Sequence, residues 1–125
     1  MNADGGSASA GPLSAYLSGL EPSVAALLGG IVARATELVP GTEQGMTYGM
    51  PGLVYQGRPL LSLRQTRDHL GYYPFSAAVV ESVSGDLAGF SLSKGTVRFT
   101  LEQQLPAGIV DRMILSRRAE IDAAG

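Results

Sequence analysis

The period of the apolar residues changes once, at Pro40-Gly41, and that change constrains the fold more than any other feature of the chain. Before it, Val24, Leu27, Leu28, Ile31, Ala35 and Leu38 recur in steps of three and four, the stripe of an amphipathic helix. Pro22 suits the first helical turn, where a missing N–H leaves nothing unpaired, and Pro40-Gly41 ends the helix. After it the period is two. Leu53 and Tyr55 alternate with Val54 and Gln56, and Leu61 and Leu63 alternate with Ser62 and Arg64. His69, Gly71 and Tyr73 share one face, with Leu70 and Tyr72 on the other. Turns at 57–59 (Gly-Arg-Pro) and 66–68 (Thr-Arg-Asp) join these runs into an antiparallel meander of three strands.

The flanks are helical. Leu13, Tyr16, Leu17 and Leu20 fall at helical spacing behind Pro12. A short helix follows the meander, with Ser76 as its N-cap and Gly85 as its stop. A further strand turns Val97, Phe99 and Leu101 inward and Thr96, Arg98 and Thr100 outward. A last helix begins at Pro106. Ile109, Val110, Met113, Ile114 and Ile121 line its apolar side, and Arg117 and Arg118 favour its C-terminal end electrostatically. The order predicts an α+β class: one curved antiparallel sheet with helices mainly on one face. With 125 residues the chain suits one domain over 12–125, behind a small, polar tail over 1–11 expected to be disordered. Gly29-Gly30 is the exception to local consistency. Each mid-helix glycine costs about 1 kcal/mol against alanine; close packing of a second backbone would account for the pair, and so would a compositional bias toward glycine.

Several function classes fall away. There is no cysteine, hence no thiolate metal site and no thiol nucleophile. The net charge of −2 lacks the basic excess of a general nucleic-acid binder. The first residues lack the basic start and apolar run of a signal peptide, and no apolar run approaches the roughly 18 residues of a membrane span. A soluble cytoplasmic protein is expected, with no nucleic-acid or membrane partner, monomeric or homodimeric. Charge is uneven: residues 1–57 hold Asp4, Glu21, Glu37 and Glu43 against Arg34 alone.

Three candidate chemistries stand out. The run 91–99, Ser-Leu-Ser-Lys-Gly-Thr-Val-Arg-Phe, places Lys94, Gly95 and Arg98 where an anion could be held, although it is not a P-loop and leads into a strand. Tyr48, Met50, Pro51 and Tyr55, with Tyr73 two strands on, supply rings and hydroxyls for a ligand groove. The scattered carboxylates Glu37, Glu43, Asp68, Glu81, Asp86, Glu102, Asp111, Glu120 and Asp122 show no metal-binding spacing, which leaves weak iron binding. His69 is the sole histidine and sits beside Asp68; no serine stands in a nucleophile motif near it, so it reads as a surface residue flanking a turn. No catalytic residue is expected. A catalytic Tyr or Lys94 would need burial to shift its pKa.

The stretches 48–74 and 92–121 resemble the YdhG-like domain family. The recurring pieces are an aromatic-Gly-Met-Pro turn at Tyr48–Pro51, a Gly-Arg-Pro hairpin at Gly57–Pro59, a strand ending at Tyr73-Pro74, and Ser93-Lys94-Gly95-Thr96 leading to Arg98 and Phe99 before Leu105-Pro106. They occur in order, and the resemblance spans residues 12–121. It implies an α+β fold with a curved antiparallel sheet, and no catalytic residue. The family is a domain-of-unknown-function group, number 1801, also labelled as a frataxin-like iron chaperone. That label implies weak iron binding on an acidic helix and delivery to an iron–sulfur assembly scaffold. This sequence departs from an acidic ridge: the long helix carries only Glu37, flanked by Glu21, and the terminal helix is Arg-rich. The leading expectation is therefore a small binding or carrier domain with no resident cofactor. Its groove is lined by Tyr48, Met50, Pro51, Tyr55, Tyr73, Lys94, Gly95 and Arg98, and holds a small anionic or amphipathic molecule or a protein segment. Iron delivery, and an enzyme using Tyr or Lys94, are the alternatives.

Overall fold

A computed structural model describes residues 10–124, and the tail predicted over 1–11 lies, for residues 1–9, outside the described residues. Two helices lead, α1 (Pro12–Ser18) and α2 (Pro22–Leu38). Four strands follow, β1 (Glu43–Thr47), β2 (Met50–Tyr55), β3 (Arg58–Gln65) and β4 (Leu70–Tyr73). Then come α3 (Ala77–Ser84), β5 (Ser91–Ser93), β6 (Thr96–Phe99) and α4 (Ala107–Ala124). The strands form one antiparallel sheet in the order β1-β2-β3-β4-β6-β5. Because β4 and β5 both pair with β6, the chain leaves β4 through α3, passes to the far edge and returns to the middle.

The helices and one face of the sheet share a single core. In α2, Val24, Leu28, Ile31 and Ala35 are buried, and in α4 all five of the residues assigned to its apolar side are buried. Against them the sheet sets Leu53, Tyr55, Leu61, Leu63, Leu70, Tyr72, Val97 and Phe99. Ser76 caps α3 as expected, accepting a hydrogen bond from the Val79 amide at 3.2 Å. Its hydroxyl also donates to Glu120 of α4 at 2.7 Å. Leu101 follows β6 rather than extending it, and packs half-buried against the core.

Four differences from the sequence reading have physical causes. The meander has four strands, not three: β1 is a polar edge strand whose residues 43–46 are not buried, so it carries no alternating signal. The chain therefore turns at Tyr48-Gly49, and Met50-Pro51 opens β2 rather than forming a turn. Tyr48 (φ 51°) and Gly49 (φ 80°) are both left-handed, as are Gln56 (φ 52°) and Gly57 (φ 76°) in the β2–β3 turn, the two-residue geometry that matches strand twist. Residues 91–93 are also a strand, β5, so Lys94-Gly95 is the tip of a hairpin and not an open loop. Arg117 and Arg118 lie outside the last turn of α4 and do not serve its C-terminus. Arg117 donates to the Pro59 carbonyl at 3.0 Å, and Arg118 to the Leu38 carbonyl at the end of α2 at 3.2 Å.

A bulge shapes the middle of the sheet. Leu53 faces Leu61 while Val54 faces Pro59, which leaves Leu60 as an extra residue, fully buried. On the helix-free face, Gly52 lies so close to its neighbours that a Cβ there would stand 2.2 Å from the Ser62 hydroxyl and 2.6 Å from the Leu61 carbonyl oxygen. That closeness lets the buried Thr47 and Ser62 hydroxyls meet at 2.6 Å.

Candidate functional site

Strand alternation divides the expected groove residues. Tyr55 points into the core: its hydroxyl donates to Asp122 at 2.7 Å, and the Arg118 guanidinium lies over its ring at 5.7 Å. Tyr73 points the opposite way. Its ring lies against Gly71, where a Cβ would come within 2.9 Å of it. Gly71 pairs with Arg64 on one side and Arg98 on the other, so both arginines flank Tyr73 on the helix-free face. Tyr48 stands 83 % exposed on the first hairpin tip, its ring 5.6 Å from that of Phe75. Met50 and Pro51 are half-buried in β2. Lys94 borders a hollow against α3 with Ala77 and Val80, whereas Arg98 borders another with His69 and Ser91. Gly95 is exposed and outside the left-handed region. The eight residues thus occupy both faces and two hairpin tips; strand alternation puts Met50, Tyr73 and Arg98 on the helix-free face, and the others lie elsewhere.

A roomier concavity lies elsewhere, between α2 and the start of α4. It has a volume of about 410 Å³. Leu27, Ile31, Phe99, Leu105 and Val110 give it an apolar wall, and Arg34, Gln104 and Asp111 stand among its lining. Small residues open it. A Cβ at Gly30 would meet nothing within 4 Å, and the same is true of Gly29, which borders a second hollow with Val32 and Gln44. Of the two explanations for the glycine pair, close approach of a second backbone is therefore excluded. The pair leaves space open on two sides of α2.

Electrostatics hold the groove's rim. Arg34 Nε and Nη2 each lie 2.9 Å from one carboxylate oxygen of Asp111, and Arg34 Nη1 lies 2.7 Å from Glu37. This side-on pair is the geometry in which guanidinium and carboxylate bond most strongly. The hydrogen bonds from Arg34, then its charge, hold the Asp111 carboxyl below its ordinary pKa, and the same contacts raise that of Arg34. An apolar wall with a few convergent polar groups is the usual form of a small-molecule site. None of Arg34, Asp111, Phe99 and Gly30 was assigned to a binding groove from sequence; the mid-helix glycine pair was the one signal available.

Metal ligands do not converge. Among the described residues, no group of three or more His, Asp or Glu side chains is placed to hold a metal ion. No helix among them is long and apolar enough to cross a membrane.

No family model and no curated protein matches the chain. A solved structure does: a protein from the DUF1801 family, YdhG of Bacillus subtilis. The two superpose with a TM-score of 0.75 at 16 % sequence identity, over 86 % of this chain and 89 % of that one. The motif resemblance and the structural likeness agree, and the chain has the YdhG-like α+β fold of that DUF1801 protein.

Proposed function

We propose that this chain belongs to the YdhG-like, DUF1801 group and is a cytoplasmic domain that binds a small amphipathic molecule without transforming it. The site is the α2–α4 groove, which replaces the tyrosine-bearing strands as the ligand's seat. The observation that carries the reading is the groove itself: about 410 Å³ of mostly apolar concavity, kept open by Gly30. That volume falls within the range of small-molecule sites, roughly 300–1,000 Å³. An apolar body fits against Leu27, Ile31 and Phe99. A polar end meets the free lone pairs of Asp111 or the Gln104 amide. Arg34 is already neutralised by two carboxylates, so the groove favours a neutral head over an anion. Nothing favours the iron-carrier reading beside it, since no three His, Asp or Glu side chains cluster among the described residues.

Gly30→Leu fills the groove from its own wall, and Gly30→Ala leaves it open. A library of neutral amphipathic fragments, read by amide chemical shifts, is expected to perturb residues 27–31 and 105–110 in the natural protein and in Gly30→Ala, but not in Gly30→Leu. Fragments that shift these amides equally in Gly30→Leu, or a library that shifts none of them in the natural protein, would overturn the assignment. Gly30→Ala itself should stabilise the fold by about 0.5–1 kcal/mol, the helix preference of alanine over glycine where nothing obstructs the methyl group.

A further inference from the structure

The cations divide into two sets. Arg34, Arg112, Arg117 and Arg118 all pair with carboxylates. Arg58, Arg64, Arg67, Lys94 and Arg98 have no ion pair among the described residues, and all lie between β3 and β6. Of these, Arg98 alone is held in place by hydrogen bonds among the described residues. Its Nη1 donates to the Ser91 hydroxyl at 3.2 Å and its Nη2 to the Ser93 hydroxyl at 2.6 Å, across the β5–β6 pair. Two neutral hydroxyls orient the guanidinium but leave its charge uncompensated. Each serine oxygen spends a lone pair on Arg98 and keeps its own proton to donate. Arg98 retains three further N–H groups.

Arg98 and Ser91 border a hollow of about 210 Å³ that is also lined by His69, Thr100 and Gln103. The backbone around it is fixed. Thr100 and Gln103 bond to each other in both directions, Thr100 N–H to the Gln103 carbonyl at 3.1 Å and Gln103 N–H to the Thr100 hydroxyl at 2.9 Å. The His69 carbonyl accepts from the Thr66 amide at 2.8 Å and its hydroxyl at 3.1 Å. The His69 ring has no hydrogen-bond partner among the described residues, which leaves a ring N–H free to donate. Arg64, across Gly71 from Arg98, adds positive potential on the same face.

We propose that this hollow is an oxyanion site, in which Arg98, Ser91 and His69 bind the phosphate or carboxylate group of a small metabolite. It adjoins the α2–α4 groove at Phe99, which lines both, and does not use Lys94. The unspent donors of Arg98, Ser91 and His69 point to an acceptor-rich ligand, and the uncompensated charge of Arg98 points to a negative one. A preoriented guanidinium loses little side-chain freedom on binding.

Inorganic phosphate and acetate, titrated into the full chain at constant ionic strength with chloride as the reference salt, test this. Saturable amide shifts at Ser91, Arg98, Thr100 and Gln103 are expected at millimolar phosphate or acetate. The stronger of the two identifies the natural head group. Arg98→Gln should weaken binding roughly tenfold or more, and His69→Asn or Ser91→Ala by about two- to fivefold. Arg98→Lys, which keeps the charge, should retain part of the affinity, and Lys94→Ala all of it. Binding that is equal in Arg98→Gln, equal shifts from chloride, or no saturable shift at tens of millimolar of either anion would overturn the site.

Discussion

Among the described residues, Tyr72 carries the one buried side-chain polar atom that the fold leaves without a partner. It lies at 0 % exposure on the helix-facing side of β4, and its hydroxyl has no hydrogen-bond partner among the described residues. Burial alone pushes its pKa far up. An unmade hydrogen bond in the core costs about 1–3 kcal/mol, whereas the ring's apolar area is still well used. Tyr72→Phe keeps the ring and removes the orphan, so it should raise the unfolding free energy by about 1 kcal/mol in urea denaturation. The pH dependence follows from the raised pKa. The folded phenol stays protonated while the unfolded one ionises near pH 10, so stability is intact below about pH 10 and falls as the pH rises beyond it. Tyr72→Phe should flatten part of that alkaline decline. A variant that loses stability at neutral pH would show that the hydroxyl is bonded after all.

At the scale of elements, the interior was legible and the margins were not. The stripes of α2 and α4 and the alternation of β2, β3 and β6 are enforced by burial, which leaves a periodic record in the sequence. The edge strands β1 and β5 bury little, so Gln44 or Ser91 could equally belong to a loop. The first hairpin tip was hidden because Tyr48 is an uncommon residue in the left-handed region; its contact with Phe75 accompanies that choice. The groove was less legible than the fold. Its walls come from residues 26–34 and 99–111, which share no motif, and only Gly29-Gly30 hinted at them. The β2–β3 turn offers a direct check on its geometry. Gln56 occupies the left-handed first position (φ 52°), is exposed, and makes one 3.1 Å bond to the Tyr55 hydroxyl. Asparagine tolerates that conformation better, and Asn-Gly is the preferred pair for such a turn. Gln56→Asn should therefore raise the thermal midpoint, by about 0.5–1 kcal/mol in stability. An unchanged or lowered midpoint would mean that the turn is not strained at Gln56.

Over the whole molecule, one layer of helices covers one face of the sheet, and the groove proposed for a ligand opens where two of those helices meet. Nothing in the chain's local preferences holds α2 and α4 at that spacing. Apolar contact sets the floor of the groove, and the Arg34–Asp111 pair ties its rim across 77 residues of sequence. The carboxyl of Asp111 is held below its ordinary pKa by hydrogen bonds from Arg34 and then by its charge. The unfolded chain therefore takes up the proton first as the pH falls. The contribution of this pair is complete above the ordinary carboxylate pKa of about 3.9, and is lost as the pH drops through the lower, folded value. Asp111→Asn keeps the shape and removes the charge. Its thermal midpoint should lie below that of the natural protein by a constant gap from neutral pH down to about pH 4, and the gap should close under stronger acid. High salt should narrow the same gap at neutral pH, since the pair is partly open to solvent. If Asp111 instead acted only by packing, the gap would persist unchanged in acid and in salt. Amphipathic fragments would then be expected to bind equally well at either extreme; if the pair does hold the rim, their affinity should fall with the midpoint gap, because the walls that flank Gly30 are no longer kept at their distance.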